Sequence, residues 1–155
     1  MKPIILALFL LSTVTVIAQT KNTSRQEHFN LDDKLALEGY DVVSYFNEDT
    51  PKEGDKTFST TYKGVQYYFV TNENKSLFLS NPEAYEPQYG GWCAYAMGAK
   101  GDKVSVDPET YKIIDGKLYL FYNAYFNNTL KSWNKNEQSL KEKADTNWSS
   151  YYKAE

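Results

Sequence analysis

Two stretches of this chain alternate clearly between apolar and polar positions. Thr57 to Tyr62 and Val65 to Val70, rich in Thr, Val, Tyr and Phe, flank Lys63-Gly64 and predict a β-hairpin. Tyr111 to Ile114 and Leu118 to Tyr122 flank Asp115-Gly116 in the same way. Asp-Gly suits a type I′ turn, in which both central residues need a positive φ. The period then changes. Phe126, Leu130 and Trp133 fall four and three apart, and Leu140, Ala144 and Trp148 fall four apart, so two amphipathic helices are expected to close the chain. Between the hairpins, Thr71 is placed to cap a short helix, Asn72 to Leu79, that stops before Pro82. The stretch that begins at Leu31 carries a helical hint and becomes strand-like at Asp41 to Phe46. Hairpins first, with helices between and after them, give a small single domain of the α+β class.

The first residues follow a different pattern. Lys2 precedes an apolar run, Ile4 to Ile17, that ends in Val16-Ile17-Ala18. A run this short with those flanks reads as a removable export signal over residues 1–18, not as a membrane span. Residues 19–30 are polar and unpatterned and read as a leader, with the leader region reaching 34 and the domain set at 35–152. No later stretch is apolar enough to span a bilayer, so the mature chain is expected to be periplasmic or secreted, without membrane insertion.

Composition narrows the partners. The formal net charge is −3, and loss of Lys2 with the signal makes it one unit more negative, with no basic block anywhere. That argues against nucleic acid or an anionic membrane as partner. Small exported domains are often held by disulfides. This chain has one cysteine, so apolar burial must hold the fold instead, with 14 Tyr, 8 Phe and 3 Trp available for it.

That cysteine lies in "QYGGWCAYAMG", residues 88 to 98. Gly90-Gly91 lets backbone come close to a neighbour or a ligand, because no Cβ intrudes. If the segment is helical, Cys93 and Met97 stand at i and i+4 on one face, and a thiolate with a thioether suits a soft ion such as Cu(I). The same residues read equally as a small buried apolar side chain and a core-filling methionine. The two readings differ in one property: a ligand thiol in an open site labels fast and is protected by metal, whereas a core thiol labels slowly. A cysteine nucleophile usually needs a histidine base. His28 is the only histidine and falls in the leader region, so no enzyme is expected. The carboxylates of Asp32, Asp33, Glu48, Asp49 and Glu109 sit in turn-like or leader contexts and read as solvated surface.

Three stretches, "LEGYDVVSYF", "YKGVQYYFVTNENKSLFLSNPEAYEPQYGGWCAYAMG" and "DPETYKIIDGKLYLFYN", resemble in that order exported proteins of the YHS-domain family, from about Leu35 to Trp148. The family is a small α+β module associated with heavy metals. Two departures stand out. The usual first cysteine is missing from Glu38-Gly39-Tyr40-Asp41, and Val70 and Asn74 stand where the second cysteine pair would be. The resemblance therefore implies a relocated soft-metal site, most simply copper, with Cys93 as anchoring thiolate, Met97 as supporting thioether and Asp41 as oxygen ligand or as a group that holds a ligand in place, serving metal trafficking or tolerance. The alternatives are a metal-free pocket for a small ligand, built from Tyr40, Tyr89, Gly90, Gly91 and Trp92 beside Asp41, or a structural interaction module with a buried free cysteine.

Overall fold

The computed structural model describes residues 24–153, so the expected export signal and the start of the expected leader lie outside the described residues. A helical turn at residues 24–28 (α1) leads into two short strands, β1 (Leu31–Asp32) and β2 (Leu35–Ala36). A tight turn, Leu37–Gly39, and the helical turn α2 (Ser44–Asn47) follow. The first hairpin is β3 (Asp55–Tyr62) and β4 (Val65–Phe69). Helices α3 (Asn72–Ser80) and α4 (Pro82–Tyr85), a second tight turn (Gln88–Gly91) and α5 (Ala94–Lys100) connect it to the second hairpin, β5 (Asp107–Ile114) and β6 (Lys117–Phe121). A miniature hairpin, β7 (Asn123–Ala124) and β8 (Asn127–Asn128), precedes α6 (Thr129–Trp133) and the long α7 (Glu137–Tyr151). This is a mixed α+β fold, as the patterning implies.

One sheet has the order β1-β2-β4-β3, with β2 parallel to β4 and the other pairs antiparallel. Along β4, Val65, Tyr67 and Phe69 are buried while Gln66 and Tyr68 are not, the two-residue period of a half-buried strand. β6 is buried on both faces. Leu118 and Leu120 enter a first core with Val42, Val43, Val65, Phe69 and Phe78, whereas Tyr119 and Phe121 enter a second with Met97, Trp133 and Ala144. Strand alternation thus lets one strand join two cores.

Both hairpin turns and the α3 cap agree with the pattern. Lys63-Gly64 and Asp115-Gly116 all have positive φ, and Thr71 Oγ1 accepts from Asn74 N at 3.1 Å. The carboxylates read as surface are exposed.

Four readings need correction. The helical hint after Leu31 is two strands and a tight turn, and the strand-like Asp41–Phe46 stretch contains α2 instead. Val42, Val43, Ser44 and Tyr45 are all buried, and burial on every side leaves no period to read. Phe126 belongs to no helix. Asn128 Oδ1 accepts from Leu130 N at 3.0 Å and starts α6 after it. The leader reading fails from Ser24 onward, because Arg25 is buried and the 24–30 segment packs on the domain. Among the described residues no helix is long and apolar enough to cross a membrane.

Candidate functional site

Cys93 occupies the N-terminal cap position of α5 and is fully buried. Its Sγ accepts from Tyr122 N at 3.4 Å and lies 3.4 Å from Thr129 Oγ1. Met97 is also fully buried, one turn on, in the core that holds Tyr119, Phe121 and Trp133. The expected soft pair is therefore two core side chains, and among the described residues no group of three or more His, Cys, Asp or Glu could hold a metal.

Asp41, the expected oxygen ligand, serves the other core. It is fully buried, with Oδ1 accepting from Val43 N at 2.8 Å and Oδ2 accepting from Val70 N at 2.8 Å and Asn74 Nδ2 at 2.7 Å. Three of its roughly four acceptor sites are taken by the chain, so it joins the α2 turn to the β4–α3 junction. Asn74 is one of its donors.

The ligand-pocket residues divide. Tyr40 lies elsewhere, with its hydroxyl donating to Glu109 at 3.4 Å. Trp92 donates from Nε1 to the His28 carbonyl at 2.6 Å, and Gly91 accepts from Asn30 Nδ2 at 3.1 Å. Tyr89 and Gly90 line a cleft of about 630 Å³.

Local chemistry explains the shape of that cleft. Tyr89, Gly90 and Gly91 have φ of 56°, 60° and 86°, three successive left-handed residues. Glycine adopts this freely, and tyrosine does so at a cost of roughly 1–2 kcal/mol. Tyr89 is held there by a buried ring whose hydroxyl donates to Asp145 on α7 at 2.8 Å. Burial, reinforced by Asp145, raises its pKa far above the usual phenol value, so it stays a neutral donor. A Cβ at Gly90 would lie 2.8 Å from Phe29 Cδ1 and 2.9 Å from Trp148 Cη2. The close approach foreseen at Gly90-Gly91 is thus to this aromatic wall, which Tyr152 completes at 5.3 Å from Phe29 and 5.8 Å from Trp148 between ring centroids.

The cleft's charges are largely paired. Arg25 donates to both oxygens of Glu86, and Tyr67 shares that carboxylate. Lys63 pairs with Glu83 at 3.1 Å on the rim. Burial pulls the Arg25 pKa down and Glu86 more than reverses it, so the guanidinium stays charged. The patterning missed Arg25, Glu86, Phe29 and Tyr152. Phe29 in a polar stretch and Tyr152 four residues after Trp148 were the available signals.

The buried thiol leads to a measurement. In the folded protein Cys93 is expected to react with a disulfide reagent slowly, reacting fast only in denaturant, since burial excludes the reagent. Cu(I) is expected to leave that rate unchanged. Fast labelling of the folded chain that Cu(I) suppresses would return Cys93 to an open ligand site.

Comparison with known proteins adds no relative: no family model, no curated protein and no solved structure matches the chain.

Proposed function

We propose that this chain is an exported, non-enzymatic module that binds a small, uncharged ring compound in the cleft between the 24–30 segment, the Tyr89-Gly90 turn and α7. The supporting observation is the cleft itself: about 630 Å³, within the roughly 300–1,000 Å³ of small-molecule sites, with Phe29, Trp148 and Tyr152 as one wall. Its charges favour a neutral occupant. Arg25 with Glu86 and Lys63 with Glu83 neutralise each other in place, and the two further charged lining residues, Asp145 and Lys153, are opposite in sign, so the cleft carries no net charge and offers a ligand aromatic surface and the Tyr89–Asp145 hydrogen bond. An ion entering would have to compete with partners already in contact.

The proposal keeps the resemblance to the exported branch of the YHS-domain family and a periplasmic or secreted location, both resting on the stretches quoted from the sequence. It places copper trafficking through Cys93 and Met97 second, because both side chains are enclosed.

The test is a melting-temperature screen of the full chain against neutral, anionic and cationic ring compounds at millimolar concentration. Binding to the folded state alone raises the melting temperature by mass action. A neutral compound is expected to raise it, and Trp148→Leu and Tyr152→Ala to abolish the rise. No stabilisation by any neutral compound, or a rise that survives both substitutions, would remove the proposal.

A further inference from the structure

The miniature hairpin carries the most exposed apolar side chains among the described residues. Its register pairs Asn123 with Asn128 and Ala124 with Asn127, leaving Tyr125 and Phe126 as a two-residue turn. Both turn residues have positive φ, 51° and 65°. Such turns favour Asn-Gly, and a bulky aromatic there is strained. Their side chains are nevertheless 92 % and 113 % exposed, against at most 50 % for any other large apolar residue described. Two aromatics are thus held in an unfavourable backbone state and left in water, a combination that folding alone does not reward.

The pedestal beneath them is firm. Thr129 donates from its backbone N at 3.0 Å and its hydroxyl at 2.9 Å to the Tyr122 carbonyl, closing the hairpin base. Asn123 Nδ2 donates to Thr110 Oγ1 at 3.0 Å, tying the first stem to β5. From Leu118 to Leu130 the sequence has no Asp, Glu, Lys, Arg or His, so the hairpin itself forms an uncharged, amide-rich collar below the tip, with the Asp107 carboxylate accepting from Asn123 Nδ2 at 3.3 Å at its base.

We infer that the Tyr125-Phe126 tip is a shallow membrane-docking knob that inserts into the interfacial zone of a neutral lipid bilayer. Aromatic rings with a polar handle favour that zone, and collar amides can hydrogen-bond there with headgroups. The area involved also argues for lipid. Two aromatic side chains cover roughly 150–250 Å² each, far below the 1,200–2,000 Å² or so of a stable protein interface, which sets aside a second copy of the chain. Charge selects the lipid: a chain of formal net charge −3 with no cation in the collar has nothing to attract an anionic surface.

The experiment compares the full chain with a Tyr125→Asn/Phe126→Gly variant by co-sedimentation with phosphatidylcholine vesicles. Whatever residues 1–18 contribute is then common to both. The variant installs the residues this turn prefers, so it should melt no lower than the parent. Its vesicle-bound fraction is expected to fall about fivefold or more, the scale of losing two aromatic contacts with the apolar phase. In a parallel Phe126→Trp variant, emission should shift to the blue on adding the same vesicles, and replacing part of the phosphatidylcholine with phosphatidylserine should not strengthen binding. Equal sedimentation of chain and variant, no binding by either, or no blue shift would overturn the inference. Binding only to phosphatidylserine-containing vesicles would do the same, as would protection of the tip by a protein pocket and not by vesicles.

Discussion

Asp41→Ala is expected to lower the free energy of unfolding by about 3–5 kcal/mol, a large share of the 5–15 kcal/mol typical of small domains. The carboxylate is fully buried and accepts three hydrogen bonds, from Val43 N, Val70 N and Asn74 Nδ2. Deleting it leaves a buried backbone N–H, a part-buried one and a buried amide without their partner, and each such buried group costs about 1–3 kcal/mol. Asp41→Asn sharpens the test because it keeps the volume. An amide can place its oxygen toward Val70 and Asn74 only by turning its NH₂ toward the Val43 N–H, so one donor still meets a donor. It is therefore expected to fall between Ala and wild type. Urea unfolding followed by circular dichroism would measure both, and an Asn variant as stable as wild type would show that Asp41 is not the acceptor described. A ligand role would instead show in binding with little change in stability.

Asp41 also marks where the sequence could and could not be read. The hairpins were legible because β4 is buried on one face only and because Gly64 and Gly116 sit where the turns need positive φ. The α7 face was legible because Ala144 is buried and Trp148 half-buried at helical spacing. The Asp41–Phe46 stretch was not, because its turn is set by a side chain 29 residues from one of its donors. At Cys93 the spacing to Met97 was read correctly as one helical turn, but spacing carries no information on burial. Tyr122 and Thr129, which enclose the sulfur, lie 29 and 36 residues away. The cleft was half legible. Tyr89 and Gly90 were named from their local sequence, while Phe29, Trp148 and Tyr152 converge only when the 24–30 segment and residues 148–152 fold onto the Gln88–Gly91 turn.

The docking of the 24–30 segment gives the second large effect: Glu86→Gln is expected to cost about 3–5 kcal/mol, the range for stranding a buried charge. Arg25 has a side chain 5 % exposed, and Glu86 receives it through both carboxylate oxygens while also accepting from Tyr67. The guanidinium lies 4.5 Å from the Phe29 ring centroid and 5.5 Å from that of Tyr62, so the charge is enclosed by aromatics with one anion to balance it. Removing the anion leaves the cation in place, and burial then acts on it unopposed. An Arg25→Met/Glu86→Leu double variant should recover most of the loss, since a buried ion pair replaced by apolar side chains of similar size is often neutral or stabilising. Salt separates this pair from the exposed Lys63–Glu83 pair, because added salt screens a buried contact far less. Deleting residues 19–30 should destabilise as much as Glu86→Gln or more, since Phe29 and the Asn30 bonds to Gly90 and Gly91 go with Arg25. If the truncated chain melted at the wild-type temperature and Glu86→Gln were neutral, the 24–30 segment would be a leader after all and the aromatic wall of the cleft would lose one of its sides.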